Sequence, residues 1–129
     1  MNPAEFKTLR EALGLTLNWV AEQAGVGIRT CQYWESGRSE PPADVVEMLQ
    51  RLDAQIDRVV VETVDAYVDV SDENGEPVDI ELYRYRENID LWSARPEMRP
   101  LPVTYHAAMV FRIAKALRNI GLTVSITYK

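Results

Sequence analysis

A chain of 129 residues with 47% hydrophobic and 26% charged side chains has room for one ordinary domain or two very small ones, each with a modest core. Its apolar runs span only a few residues and MNPAEFK carries no apolar signal core, so neither a membrane span nor an export signal is expected, and the expected location is cytoplasmic. The formal charge is −6, a single cysteine cannot close an intramolecular disulfide, and one histidine beside it is too few for a metal site, so no cofactor is expected.

The first helix is expected to open at Asn2 or Pro3, with Phe6, Leu9 and Leu13 at helical spacing and Gly14 as its stop. Thr16 is a good N-cap for a second helix, in which Leu17, Val20, Ala21 and Ala24 share a face and which Gly25 ends. Winding positions 27–36 as a third helix places Cys31 and Trp34 on one face and Ile28, Arg29, Gln32, Tyr33 and Ser36 on the other. Two short helices joined at a glycine make a helix-turn-helix, in which one face of the second helix anchors and the other reads. Cys31 then reads as a small apolar residue packed under that helix, with a redox sensor as the alternative.

The stretch LTLNWVAEQAGVGIRTCQYWESGR resembles the helix-turn-helix of the Xre family of phage-repressor-like DNA-binding domains. Thr16, the Val20-Ala21 pair, Gly25-Val26, and Trp34-Glu35 followed by Gly37 and Arg38 carry the resemblance. The string CQYWESGRSEPPADV, running into a long helix with a small mixed domain behind it, is similar to a narrower group, the YdiL-like proteins and anti-CRISPR-associated autoregulators. The family likeness implies an internal ion pair between Arg10 and Glu35 beneath the recognition helix, with a phosphate contact by Arg10 as the alternative. It also implies that helix 27–36 lies in the major groove of duplex DNA. There Arg29 can donate two parallel bonds to guanine, Gln32 can serve adenine, Ile28 can make an apolar contact, and Tyr33 can meet a thymine methyl or a phosphate. Thr16, Thr30, Arg38 and Ser39 are better placed for phosphate, which fixes position without reading sequence. The narrower likeness implies repression of the protein's own operon. A homodimer would do this on an inverted repeat with half-site centres about 10 base pairs apart or a multiple. Three positions depart from the family: Leu17 stands where Gln is usual, Trp19 lies on the outer side, and Gly27 replaces a Ser or Thr N-cap.

After Gly37, two prolines introduce a long helix in which Val45, Leu49, Leu52, Ile56 and Val59 form a stripe, continued one position later by Val60, Val64 and Tyr67. Such a stripe is either a dimer seam or intramolecular core. Val59-Val60-Val61 could start a strand, but the sustained spacing favours helix. SDENGEP is a solvated turn around Asn74-Gly75. In VDIELYRYR, Val78, Ile80, Leu82 and Tyr85 read as a short strand with Arg84 and Arg86 opposite; RENIDLWS is ambiguous, and RPEMRPLP reads as irregular. From Thr104 to Gly121 an amphipathic helix is expected, with Ala107, Val110, Phe111, Ala114, Leu117 and Ile120 inward and Arg112, Lys115 and Arg118 outward. Within it His106 reads as surface or core filler rather than a proton switch. TVSITY closes as a strand. The expected fold is therefore mostly α: a helix-turn-helix bundle, residues 1–70 with the long helix, running into a small α+β unit, residues 71–129. The small unit is expected to dimerise, with Phe111 joining the seam candidates.

Charge is unevenly spread. Residues 1–43 carry −1, residues 44–81 carry −10, and residues 82–129 carry +5. A duplex responds to the local field at the docking face, where Arg29 and Arg38 lie, so acid elsewhere weakens non-specific attraction without forbidding a specific complex. Two other readings stay open: an antitoxin-like protein-interaction module with secondary DNA binding, and RNA binding through Arg84, Arg86, Arg112, Lys115 and Arg118. No Gly-rich phosphate loop, metal cluster or nucleophile with a base is found, and Asp53 and Asp57 read as a solvated face, so an enzyme is not expected.

Overall fold

A computed structural model describes all residues from Met1 to Lys129. The architecture is mostly helical with one small sheet. In order it runs α1 (Pro3–Ala12), α2 (Leu17–Ala24), α3 (Ile28–Ser36), α4 (Ala43–Tyr67), β1 (Ile80–Arg84), α5 (Asn88–Ala94), a 3-10 turn at Pro96–Met98, α6 (Val103–Asn119) and β2 (Val124–Tyr128). The chain divides into two compact units, Met1–Gln55 and Ile56–Lys129, and the division falls within α4.

In the first unit the helix ends are written in local chemistry. Asn2 caps α1 through a reciprocal pair, its side chain accepting from the Glu5 N–H at 2.8 Å while Glu5 accepts from the Asn2 N–H at 3.0 Å. Thr16 caps α2 by accepting from the Trp19 N–H at 3.0 Å. Gly25 closes α2 at φ 69°, where the Val26 N–H reaches back to the Ala21 carbonyl at 3.0 Å. The core consists of Phe6, Leu13, Leu15, Val20, Ala21, Cys31, Trp34, Val45, Leu49 and Leu52, all buried. Full burial of a side chain such as Phe6 or Leu49 contributes about 1.5–3 kcal/mol against leaving it in water. Phe6 and Trp34 meet edge to face, centroids 6.2 Å apart, which fixes α1 against α3.

In the second unit β1 and β2 pair in parallel, Ile80 opposite Val124 through Arg84 opposite Tyr128, with α6 in the connection and packed on both strands. A parallel pair of two strands is weak alone, and the buried face of α6 supplies what it lacks: Tyr105, His106, Met109, Val110, Ile113, Ala114 and Leu117. Pro102 cannot cap α6 with a side chain. Asn88 does so instead, its carboxamide oxygen accepting from the Val103 N–H at 2.9 Å. The Trp92 indole donates to the Leu101 carbonyl at 2.8 Å, so the residues between α5 and α6 are tied down although they are mostly irregular. The turn at 71–77 forms around Asp72, whose carboxylate accepts from the N–H groups of Asn74 and Glu76.

Three expectations need correction here. Phe111 is 58% exposed and Ile120 is exposed, because α6 buries the stripe through Tyr105, Met109 and Ile113. Arg84 does not oppose Leu82; side chains alternate along a strand, so it shares the face of Ile80 and Leu82 and is half-buried there. The proline-rich stretch expected to be irregular contains the 3-10 turn, and RENIDLWS, whose form the sequence leaves open, supplies most of α5, which runs from Asn88 to Ala94.

Candidate nucleic-acid interface

The surface offered by α3 depends on what holds the helix from below. Cys31 is fully buried and Trp34 nearly so, which directs the opposite side of α3 to solvent. Burial, with the Glu35 carboxylate as a smaller influence, pushes the Cys31 thiol up, although Arg10 pulls the other way. The cysteine therefore stays a neutral packing group and lacks the thiolate character of a redox sensor.

Beneath the helix, Arg10 Nε donates to Glu35 Oε2 at 2.6 Å and Nη2 donates to Oε1 at 3.2 Å, while Nη1 donates to the Leu15 carbonyl at 2.8 Å. The two side chains are only 12% and 11% exposed. One guanidinium thus fastens α3 to α1 and holds the link into α2. The bidentate geometry suits Arg and would be lost with Lys. Each nitrogen of the Arg10 guanidinium is thus engaged inside the protein, which accords with the structural role.

At the other end of α3, Gly37 adopts φ 82°, and the N–H groups of Arg38 and Ser39 both turn back to the Tyr33 carbonyl at 3.0 and 3.3 Å. The same turn lays the Arg38 guanidinium over the Tyr33 ring, 4.7 Å from its centroid. Tyr33 is half-buried and Arg38 and Ser39 are exposed. Ile28, at 38% exposure, and the exposed Arg29, Gln32 and Ser36 occupy the open side of α3, and Arg29 has no ion pair or hydrogen bond within the chain. Gly27 begins α3 with no side-chain cap bond, leaving N–H donors at that end unsatisfied by any capping side chain.

Residues 4–71 match the helix-turn-helix domain family, a span from within α1 to beyond the end of α4 and slightly more than half of the chain. The chain belongs to that family. A comparison with curated proteins gives no match. Membership of this family supports DNA as the partner of the chain.

Thr16 is exposed with its hydroxyl oxygen capping α2, so the hydroxyl proton is still available to a phosphate; Thr30 is half-buried on the flank of α3. Leu17 and Trp19 are half-buried. Asn18 has no conspicuous sequence signal beyond following an N-cap, yet it is exposed in the first turn of α2, where an amide can donate to phosphate. Of the two readings of the α4 stripe, burial favours core: Val45, Leu49, Leu52 and Ile56 are buried within one copy of the chain and Val59 is half-buried. The five basic residues of the RNA reading do not form one free surface. Arg112 pairs with Asp57, Arg118 donates to the Val124 carbonyl at 2.8 Å, and Arg84 and Arg86 lie over the Tyr128 ring. Lys115 remains exposed. No group of three His, Cys, Asp or Glu side chains is placed to hold a metal ion, and no helix is long and apolar enough to cross a membrane.

Proposed function

We propose that this protein is a sequence-specific transcriptional repressor of the Xre type that controls its own operon, in the manner of the YdiL-like and anti-CRISPR-associated regulators its sequence resembles. One observation carries the reading: a rigidly anchored α3 presents an unpaired arginine, Arg29, beside Gln32 and Ile28 on an open face. In the major groove Arg29 reads guanine through two parallel bonds and Gln32 reads adenine, while Ile28 and the ring of Tyr33 make apolar contact with thymine methyls. Thr16, Asn18, Thr30, Arg38 and Ser39 hold the flanking phosphates. Arg38 is oriented for this by its stacking on Tyr33.

Residues 1–70 form the DNA-binding part of the proposal and residues 71–129 its dimerising part. The exposed apolar side chains of the second unit, Phe111 at 58% exposure among them, support this division. A two-fold dimer then meets an inverted repeat. Footprinting on the DNA immediately upstream of the protein's own gene tests the proposal. The expected result is one protected inverted repeat whose half-site centres lie about 10 base pairs apart or a multiple; no protected repeat contradicts it.

A further inference from the structure

Within the second unit, a cleft of about 660 Å³ opens between the last turns of α4, strand β1 and the buried face of α6. That volume lies in the range of small-molecule sites. Val59, Leu82, Met109, Val110 and Ile113 make its walls largely apolar. At its buried side stands His106, 3% exposed, whose Nδ1 has no hydrogen-bond partner in the chain. Buried polar atoms are rarely left so, and one that lines a cleft takes its partner from outside the chain, be it a water, an ion or a ligand.

Charge indicates what sort of ligand. The charged groups acting on the imidazole are Arg95, which lines the cleft, and Arg84, whose Nε also lacks a partner. Arg95 Nε stands 3.5 Å from the Glu97 carboxylate, but both side chains are at least half-exposed, so this pair is a weak, solvent-screened one that an incoming acid group can share. Burial and these two guanidinium groups hold His106 neutral, with its pKa lowered to about 4. The cleft also has Glu62 and Glu81, but both are exposed, and Glu81 accepts a hydrogen bond from the Thr127 hydroxyl at 2.9 Å. A cation would thus be repelled at the buried side, whereas an acid group would complete it.

We propose that this cleft binds a small organic carboxylate with an apolar body. Its acid group accepts from the His106 imidazole and the Arg95 guanidinium, and its body lies along Val59, Met109 and Ile113. The site is built wholly from residues of the second unit, Ile56–Lys129, and shares none with the reading face of α3.

Octanoate is the probe, octanol its uncharged control, and the full chain the sample. His106 is the sole histidine, so its imidazole resonances report on the cleft without ambiguity. Octanoate is expected to shift them saturably and to raise the imidazole pKa, and octanol is expected to bind about tenfold more weakly or worse. Arg95→Ala, at a half-exposed side chain, is expected to keep the fold by circular dichroism, to weaken octanoate about tenfold and to leave octanol unchanged. Ala66→Trp, at an exposed position on the cleft wall, is expected to abolish binding of both. The proposal is overturned if octanoate leaves the His106 signal unmoved, if octanol binds as well as octanoate, or if Arg95→Ala binds octanoate unchanged. It is also overturned if dilution of the protein alone changes the His106 signal, which would mean that a second copy fills the cleft.

Discussion

The two units solve their polar accounting in opposite ways. In the first, every group under α3 is matched: Arg10 spends its donors on Glu35 and Leu15, Thr16 and Asn2 cap their helices, and what remains unpaired, Arg29 and Gln32, is on the surface. In the second, the unpaired atoms are inside, at Arg84 Nε and His106 Nδ1, while large apolar side chains such as Phe111, Val61 and Val68 are outside. The first unit is thus a finished scaffold whose unpaired polar side chains on α3 face solvent. The second, with only a two-stranded sheet, has both a cleft and a surface that a ligand or another chain can complete.

Removing one member of the matched pair gives the largest expected effect. Arg10→Ala leaves Glu35 charged and enclosed under α3, and about 3–5 kcal/mol of stability is expected to go, read as a lowered midpoint in urea denaturation. A loss under about 1 kcal/mol would place the pair in the class of surface bridges.

The unmatched interior of the second unit responds to acid. His106 has a folded pKa of about 4, below the value of about 6.5 in an unfolded chain, so between these limits the unfolded state binds the proton and the folded state does not. Its contribution to stability is therefore undiminished above pH of about 6.5 and falls as pH drops towards about 4, by up to about 3 kcal/mol, levelling off below that. Denaturation midpoints across that window, compared with His106→Gln, measure it; a variant with the same acid dependence as the parent would remove His106 as the cause.

Smaller effects sharpen the contrast. Phe111→Ser removes an exposed ring, so the monomer's stability is expected to stay within about 0.5 kcal/mol. Self-association, read by sedimentation, is expected to weaken about tenfold if the ring is buried between copies. Gly27→Ser is the mildest: the backbone there is extended, at φ −76°, nothing obstructs a Cβ, and the hydroxyl can supply the missing cap of α3. A gain of a few tenths of a kcal/mol, roughly a degree or two in thermal midpoint, is expected.

The first unit was the more legible in sequence because its signals are local. Asn2, Thr16, Gly25 and Gly37 mark helix ends within a few residues of the bonds they make, and the Cys31–Trp34 spacing assigns the faces of α3. The second unit depends on partners distant in sequence. Residues 104–120 carry apolar side chains on more than one face, and only the packing of β1 and β2 against α6 selects Tyr105, Met109 and Ile113 over Phe111. Parallel pairing of β1 with β2 joins residues about forty apart and leaves no local mark. The burial of Val45, Leu49, Leu52 and Ile56 was equally ambiguous, since an apolar stripe looks the same whether its partner lies in the same chain or in another.

A binding titration with the protein's own upstream DNA shows whether α3 reads DNA sequence through Arg29. Arg29→Ala is set beside the parent across a salt series, with the fold checked by circular dichroism. Loss of one bidentate contact should cost about 1–3 kcal/mol per half-site, roughly fivefold to more than a hundredfold in affinity, and bring specific binding towards that of unrelated DNA. Equal affinity and equal discrimination by parent and variant would contradict the account and remove Arg29 from the reading face.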